Sequence, residues 1–400
     1  MKIRPMLPLF LTLVCCTFSF AADKNIIFFI TDDQSPTLGC YGDPIAQTPA
    51  IDALAADGTL FSNAFATTAS CSASRSVVMS GLHNHANGQY GHQHSFHKFS
   101  SYFNVIGLSL SRNLSYAGYR TGHIGKYHVS PEEVFRFETY LKGNSRNAVQ
   151  MAEQTKEFIT AETEKPFFLY FATSDPHRGG GKDKNSNRTL KPDLFGNKPG
   201  RKSHDGVEEV LYSPKDVAIP HFLSDTPETR EELAQYYQSV SRIDQGLARL
   251  VKILKEAKLY DKTMIVFTSD HGMAFAGGKT TVYEGGSKVP FVVRNPYQQK
   301  RGVQHSALIS HIDITPSLLD FAGAMDAQKN RPKSWQDPKK SFPPPRTGGP
   351  KDNRGVTGKL SSYHGKSWIP ILGDPAKKHW DEIFASHTFH EIQMYYPMRV

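Results

Sequence analysis

Residues 25–30 read NIIFFI and residues 31–33 read TDD, so an apolar run is followed directly by an acidic end. A run of this length without a charged side chain predicts a strand buried on both faces of a sheet. Residues 166–172 (PFFLYFA) and 264–268 (MIVFT) show the same pattern, and residues 226–259 have the apolar spacing of a long helix. Buried strands that alternate with helices predict an α/β fold with a mainly parallel central sheet flanked by helices.

The composition limits the class of protein. The chain has 400 residues, of which 38% are hydrophobic, so it can bury a sizeable core and is not wholly disordered. Four cysteines are too few for a disulfide scaffold. The formal net charge of +9 favours a polyanionic partner. Nucleic acid, an acidic membrane surface and a sulfated glycan all fit this charge.

The N-terminus indicates the compartment. Lys2 and Arg4 precede an apolar stretch at residues 6–20, and a small-x-small pattern ends at Ala21. These features predict a secretory signal peptide at residues 1–21 and an exported protein, in a periplasm, the medium or a lysosome. Export argues against nucleic acid as the partner. No later apolar stretch is long enough to predict a stable membrane span, and the sequence does not indicate an oligomeric state.

Polar residues follow four predicted strands, the three above and a short one at residues 120–124, at the strand ends where ligands collect in open α/β sheets. They are Asp32, Asp33, Lys126, His128, Asp175, His177, Arg178, Asp270 and His271. Three carboxylates at one place, from Asp32, Asp33 and Asp270, cannot all stay ionised without a cation. Such an oxygen-rich set suits Ca²⁺ or Mg²⁺. A nitrogen ligand from His271 leaves Mn²⁺ and Zn²⁺ open.

Residues 71–81 (CSASRSVVMSG) contain the candidate nucleophile. Cys71 lies at the start of a predicted helix, and Arg75 follows one turn later. The positive end of a helix dipole stabilises an anion and activates a thiol. A buried, unreactive thiol is the alternative for a single cysteine.

The segment Cys71-x-Ala73-Ser74-Arg75, with its downstream Met-Ser-Gly, resembles the signature of the type I sulfatases. Further motifs resemble that family in the same order along the chain: 32–33, 125–128, 175–177, 269–272 and Lys279. The resemblance implies an alkaline-phosphatase-like sandwich and a divalent cation held by Asp32, Asp33, residue 71, Asp270 and His271. It also implies that a separate maturation enzyme oxidises Cys71 to formylglycine, whose hydrated gem-diol attacks sulfur.

The same resemblance implies roles for the other site residues. Lys126 and Lys279 would clamp the sulfate, and His177 would donate a proton to the leaving group. His128 would take the proton of the remaining hydroxyl, and Arg75 would hold the formylglycine.

Within the family, residues 175–178, 236–246 and 390–399 look like those of the sulfamidases, which remove N-linked sulfate from glucosamine at heparan sulfate ends. This likeness implies a sulfated glycosaminoglycan as substrate. The implied substrate contacts are Asp175, Arg178, His390, Glu391 and Arg399. Two positions depart from the sulfamidase pattern, because His271 stands in place of Asn and Lys279 in place of Arg.

Five histidines follow the nucleophile segment: His83, His85, His92, His94 and His97. Their spacing does not match a tetrahedral zinc finger. We therefore expect polar groups at the edge of the pocket or a solvated loop.

The resemblance assigns residues 22–325 to a sulfatase catalytic domain and 361–400 to the beginning of a smaller C-terminal subdomain, truncated at Val400. Residues 326–360 are rich in Pro, Gly and Lys, which predicts a loop or linker. Three other functions stay open here. They are an O-sulfatase acting on a glycan or aryl ester, a phosphoesterase of the alkaline phosphatase group, and an inactive glycan-binding relative.

Overall fold

The computed structural model describes residues 24–94, 98–179, 195–198, 202–327, 362–387 and 389–390. The predicted signal peptide, most of residues 326–360, His97, Glu391 and Arg399 lie outside these ranges. Inside them, eight strands form one sheet: β1 (Asn25–Thr31), β2 (Thr59–Phe65), β3 (Arg120–Gly125), β4 (Thr139–Leu141), β5 (Phe167–Ala172), β6 (Thr263–Ser269), β7 (Phe291–Arg294) and β8 (Val303–Ser310).

The sheet has the strand order β4-β3-β5-β1-β6-β7-β2-β8. β1 lies between β5 and β6 and is parallel to both, with Ile27 beside Leu169 and Ile265. β7 is antiparallel to β6 and β2, whereas every other pair is parallel. The predicted α/β fold with a mainly parallel sheet is therefore confirmed.

Helices cover both faces of this sheet. The described helices are α1 (Pro49–Ala56), α2 (Cys71–Ser80), α3 (Asn84–Asn87), α4 (Leu110–Tyr116), α5 (Glu132–Phe135), α6 (Ala148–Gln154), α7 (Lys156–Thr160), α8 (Pro227–Glu256), α9 (Glu284–Ser287) and α10 (Ile314–Ala322). Ile26 and Phe28 of β1 belong to a core that includes residues of α2, α4 and α10. Ile27 and Phe29 belong to a second core with residues of α1, α6 and α8. Successive side chains of a strand point to opposite faces, so a continuous apolar run serves both cores.

The sequence pattern missed β2, β4 and β8. β4 has only three residues and none of them is buried, β2 mixes buried and exposed residues, and along β8 buried positions alternate with exposed ones at first. β8 lies at the edge of the sheet. An edge strand does not need the continuous apolar run that marked β1, β5 and β6.

The C-terminal segment, residues 362–387, packs against the sheet domain. Trp368 is fully buried, and Trp380 Nε1 donates a hydrogen bond to the Asp313 carboxylate at 2.9 Å. Ser386 N donates to the carbonyl of Thr67, four residues before the nucleophile position. The domain boundaries proposed above stay a prediction. No described helix has both the length and the hydropathy that a membrane span requires.

Candidate active site

The carboxyl ends of the central strands bring the predicted site residues together. Asp32 and Asp33 follow β1, and Asp270 follows β6, the parallel neighbour of β1. All three side chains are fully buried. Arg75, one turn into α2, donates from Nη2 to Asp32 at 3.2 Å and from Nε to Asp270 at 3.0 Å. One buried guanidinium therefore holds two of the three carboxylates.

Cys71 is the first residue of α2 and is fully buried. Its Sγ lies 3.4 Å from His271 Nε2 and 3.3 Å from Lys279 Nζ. Burial alone would raise the pKa of the Cys71 thiol, but the ammonium groups of Lys126 and Lys279 lower this pKa well below its usual value. These neighbouring cations thus favour negative charge at position 71, in addition to the helix N-terminus at which the residue lies.

Two lysines also form ion pairs with the buried carboxylates. Lys126 Nζ contacts Asp32, and Lys279 Nζ lies 2.9 Å from both oxygens of Asp33. Burial lowers the pKa of a lysine by itself, but the carboxylates outweigh this effect and raise the pKa of both lysines. Burial alone would raise the pKa of Asp32, yet the ammonium group of Lys126 holds this pKa well below its usual value. Both lysines are therefore cationic across the ordinary pH range.

The donor atoms fit a divalent cation. Ligand atoms of Asp33, Cys71 and His271 lie within 4.8 Å of one another, as do those of Asp32, Cys71 and Asp270. The two groups share residue 71, and carboxylate oxygens predominate among their donors. This donor set suits a hard cation, and that these residues bind one stays a prediction.

Several residues of this region have positive φ angles. Asp33 has φ 65° and His128 has φ 52°, a conformation that residues other than glycine rarely adopt. Gly125, just before Lys126, has φ 90°, and a Cβ there would lie 1.9 Å from the Ala172 carbonyl oxygen. Strained backbone positions cluster at functional sites, where the surrounding fold enforces them.

His177 faces the carboxylates with one ring nitrogen. Its Nδ1 lies 2.8 Å from the Arg178 carbonyl, which can only accept, so Nδ1 carries a proton. Its Nε2 lies 3.7 Å from Asp33 Oδ2, and about a third of the side chain is exposed. The position suits a group that exchanges a proton with a substrate.

Asp175 is bound on both sides by arginines that the sequence analysis did not identify. Arg146 Nη1 lies 3.0 Å from one carboxylate oxygen, and Arg242 Nε lies 2.6 Å from the other. Asp175 is 2% exposed, so this network fixes the loop that carries His177. A lone arginine on a helix gives no signal of a partner 67 residues away in the sequence.

Arg178 is also held by the protein. Its Nη2 lies 2.5 Å from Glu232, and its guanidinium lies 4.8 Å from the ring centres of both Phe195 and Phe275. That Asp175 and Arg178 contact substrate stays a prediction.

Four imidazoles beside the nucleophile form what we call the histidine cluster: His92, His94, His128 and His390. His94 Nδ1 lies 2.6 Å from His128 Nε2, and His92 Nε2 lies 3.0 Å from His390 Nδ1. Burial lowers the pKa of His128 to about 3 and that of His390 to about 2, so both rings are neutral at pH 7. Of the predicted substrate contacts near the C-terminus, His390 lies here; Glu391 and Arg399 are outside the described residues.

The other described histidines of the same segment lie elsewhere. His83 and His85 stack on each other with ring centres 5.5 Å apart, and His83 also contacts His364. Of the described histidines in this run, His92 and His94 therefore belong to the histidine cluster, whereas His83 and His85 do not.

Comparison with known proteins supports the same assignment. A model of the Sulfatase family matches residues 24–324. N-sulphoglucosamine sulphohydrolase of Homo sapiens is 35% identical over 389 residues, which cover 95% of this chain and 71% of that protein. N-acetylglucosamine-6-O-sulfatase of Bacteroides thetaiotaomicron is 26% identical over 75% of this chain and 68% of its own length.

A solved structure of a protein in complex with its substrate, D-glucosamine-2-N,6-O-disulfate, shares the fold. Its TM-score is 0.59 at 20% identity, with 92% of this chain and 85% of that chain covered. These matches, together with the strand-end carboxylates and Cys71 at the helix N-terminus, confirm the resemblance noted from the sequence. The chain is a hydrolase that belongs to the sulfatase family.

Proposed function

We propose that this sulfatase removes the N-linked sulfate of glucosamine from heparan sulfate or heparin, after export from the cell. The observation that carries the proposal is the 35% identity to human N-sulphoglucosamine sulphohydrolase across 95% of the chain. The net charge of +9 also suits a polyanionic glycosaminoglycan.

The proposal includes two groups that the chain would acquire. Asp32, Asp33, Asp270 and His271 would hold Ca²⁺, or Mg²⁺ in its place, which supplies positive charge against the sulfate oxygens. Formylglycine, which a separate maturation enzyme would make from Cys71, would supply the hydroxyl for attack on sulfur.

The lysines would bind the sulfate. Lys126 and Lys279 are both cationic and lie beside position 71, where the sulfuryl group must approach. Fixed cations in a site that excludes water stabilise charge in the transition state without reorganising. Arg75 has a different role from the lysines, because it is fully buried and bound to Asp32 and Asp270. It positions the carboxylates.

Two histidines would divide the proton transfers. The His177 Nδ1 proton is committed to the Arg178 carbonyl, so Nε2 is the atom that delivers a proton to the leaving nitrogen or oxygen. His128 is neutral at pH 7 because burial lowers its pKa to about 3, and a neutral imidazole can accept the proton of the hydroxyl at position 71.

The test is product analysis on defined heparin disaccharides, with protein co-expressed with a formylglycine-generating enzyme and supplied with Ca²⁺. One substrate carries only the N-sulfate of glucosamine and the other only a 6-O-sulfate. We expect a free amine from the first and no change in the second, and no reaction of either with Cys71→Ser protein.

Release of sulfate from the 6-O-sulfated substrate alone would overturn the N-sulfate assignment. It would favour an O-sulfatase of the same fold, the alternative that Lys279 supports because sulfamidases have arginine there. No release from either substrate would point to an inactive glycan-binding relative.

A further inference from the structure

The histidine cluster has the geometry of a second metal site. Ring nitrogens of His92, His94 and His128 lie within 4.8 Å of one another. His94 Nδ1 is 3.5 Å from His92 Nδ1 and 2.6 Å from His128 Nε2. Tetrahedral Zn²⁺ with Zn–N bonds of about 2.0–2.1 Å places its ligand nitrogens about 3.4 Å apart. The first separation already matches, and the second has to widen by less than 1 Å.

The surroundings of His92 also suit a metal ligand. One ring nitrogen faces His94, and the other lies 3.0 Å from His390 Nδ1. His390 Nδ1 is in turn 3.2 Å from the Ser70 hydroxyl. Metal-binding histidines characteristically use their second nitrogen in such a hydrogen bond, which fixes the ring orientation. His390 is therefore a positioning residue, which orients the ring of His92.

The donor set differs from that of the carboxylate centre. The three converging groups are all imidazoles, which suit Zn²⁺, Co²⁺, Ni²⁺ or Cu²⁺ rather than Ca²⁺ or Mg²⁺. We propose that His92, His94 and His128 bind a divalent transition-metal ion of the zinc class, at a site separate from the carboxylate centre, and that this ion inhibits hydrolysis.

The inhibition follows from the atom that the ion would occupy. His128 Nε2 faces His94 in the cluster. A metal bond uses the same lone pair that accepts a proton, so metal-bound His128 cannot serve as a base. The inhibition rests on the proposed function, whereas the binding of the metal ion does not.

Binding is tested without catalysis. Cys71→Ser protein, which lacks the competing thiolate, is saturated with Ca²⁺ and titrated with Co²⁺ while its visible ligand-field absorption is recorded. We expect one equivalent to bind with a tetrahedral spectrum, which added Zn²⁺ displaces. His94→Gln should weaken binding at least about tenfold. The exposed His94 makes this variant tolerable for the fold, and thermal unfolding checks that it is.

Two controls locate the ion. His85→Gln removes a histidine of the same segment outside the cluster and should leave the titration unchanged. Asp270→Asn removes a ligand of the carboxylate centre and should also leave it unchanged. Absence of a Co²⁺ spectrum, or a spectrum lost in Asp270→Asn but kept in His94→Gln, would overturn the proposed site.

Inhibition is tested on mature protein containing formylglycine. In excess Ca²⁺, Zn²⁺ should lower kcat, and the remaining activity of His94→Gln should be insensitive to Zn²⁺. Zn²⁺-insensitive wild-type activity beside a positive Co²⁺ titration would overturn the inhibitory role alone. If the mature protein had no sulfatase activity, the proposed function would fail, and the Co²⁺ titration would still decide the metal site.

Discussion

The carboxylate centre (Asp32, Asp33 and Asp270) and the histidine cluster both approach residue 71, but they are stabilised differently. In the centre, buried anions are bound by Arg75, Lys126 and Lys279. In the cluster, neutral rings contact one another, with His94 and His128 stacked at 4.8 Å between centres. Removing one partner of a buried ion pair leaves an uncompensated charge, whereas removing one neutral ring loses only a hydrogen bond and some packing. Charged groups should therefore dominate the mutational effects.

Residue 71 lies beside both regions, and its substitution should have the largest effect. Cys71→Ser introduces one hydroxyl, which could attack sulfur but could not release the sulfate by the elimination that a gem-diol allows, so we expect activity to fall at least about 10⁴-fold. Cys40→Ser is the matched control, since Cys40 is the other free cysteine of the described chain and lies away from the site. The rate of sulfate release measures both, and an active Cys71→Ser enzyme would refute the nucleophile assignment.

His177 tests the side of the carboxylate centre at which we propose that substrate binds. His177→Gln should lower the rate about 10³-fold on glucosamine N-sulfate, since a poor leaving group needs a proton donor. An aryl sulfate with an acidic phenol as leaving group should lose far less. The surface variant His221→Gln should react normally with both. An equal loss on the two substrates would mean that His177 does not act as the acid.

Substitution of Arg242 tests whether a buried ion pair also stabilises the loop that carries Asp175 and His177. Arg242→Met leaves Asp175 with one of its two arginines, and we expect a loss of about 3 kcal/mol in the free energy of unfolding. Arg249→Met on the same helix breaks a partly exposed pair with Glu153, which should cost at most about 1 kcal/mol. Urea denaturation of the two variants compares them, and equal losses would contradict the distinction.

We expect the smallest effect on stability from substitution of His311, a buried histidine that is neutral at pH 7. Burial lowers its pKa to about 3 in the folded protein, against about 6.5 unfolded. The unfolded state then binds more protons between these values, so stability is lost as the pH falls from 6.5 towards 3. His311→Gln should flatten this dependence by about 1.4 kcal/mol per pH unit. Urea denaturation at pH 7, 6 and 5 measures the slope; an unchanged slope would show that His311 does not contribute.

Much of the site followed from local sequence. Asp32, Asp33 and Asp270 could be placed together because parallel strands present their carboxyl ends at one edge, and β1 and β6 are neighbours. Cys71 and Arg75 share one helix turn, which the helical repeat already implies. The family resemblance extended these inferences to Lys126, His128, His177 and Lys279.

Other features required the folded chain. The bonds of Asp175 to Arg146 and Arg242 span 29 and 67 residues, and His92 meets His390 across 298 residues. The edge strand β8 was also missed, because its mixed burial leaves no continuous apolar run.

The difference between the features that the sequence predicted and those that it missed has a physical cause. Sequence periodicity reports which residues are buried and in which type of element, because burial repeats with the geometry of helix or strand. It therefore determined the α/β class, the strand ends and the nucleophile helix. Which distant side chains meet depends on how the chain crosses between elements and on where charges find partners. Contacts between distant parts of the folded chain are what bring two arginines to Asp175 and the histidines of three separate segments together beside Cys71.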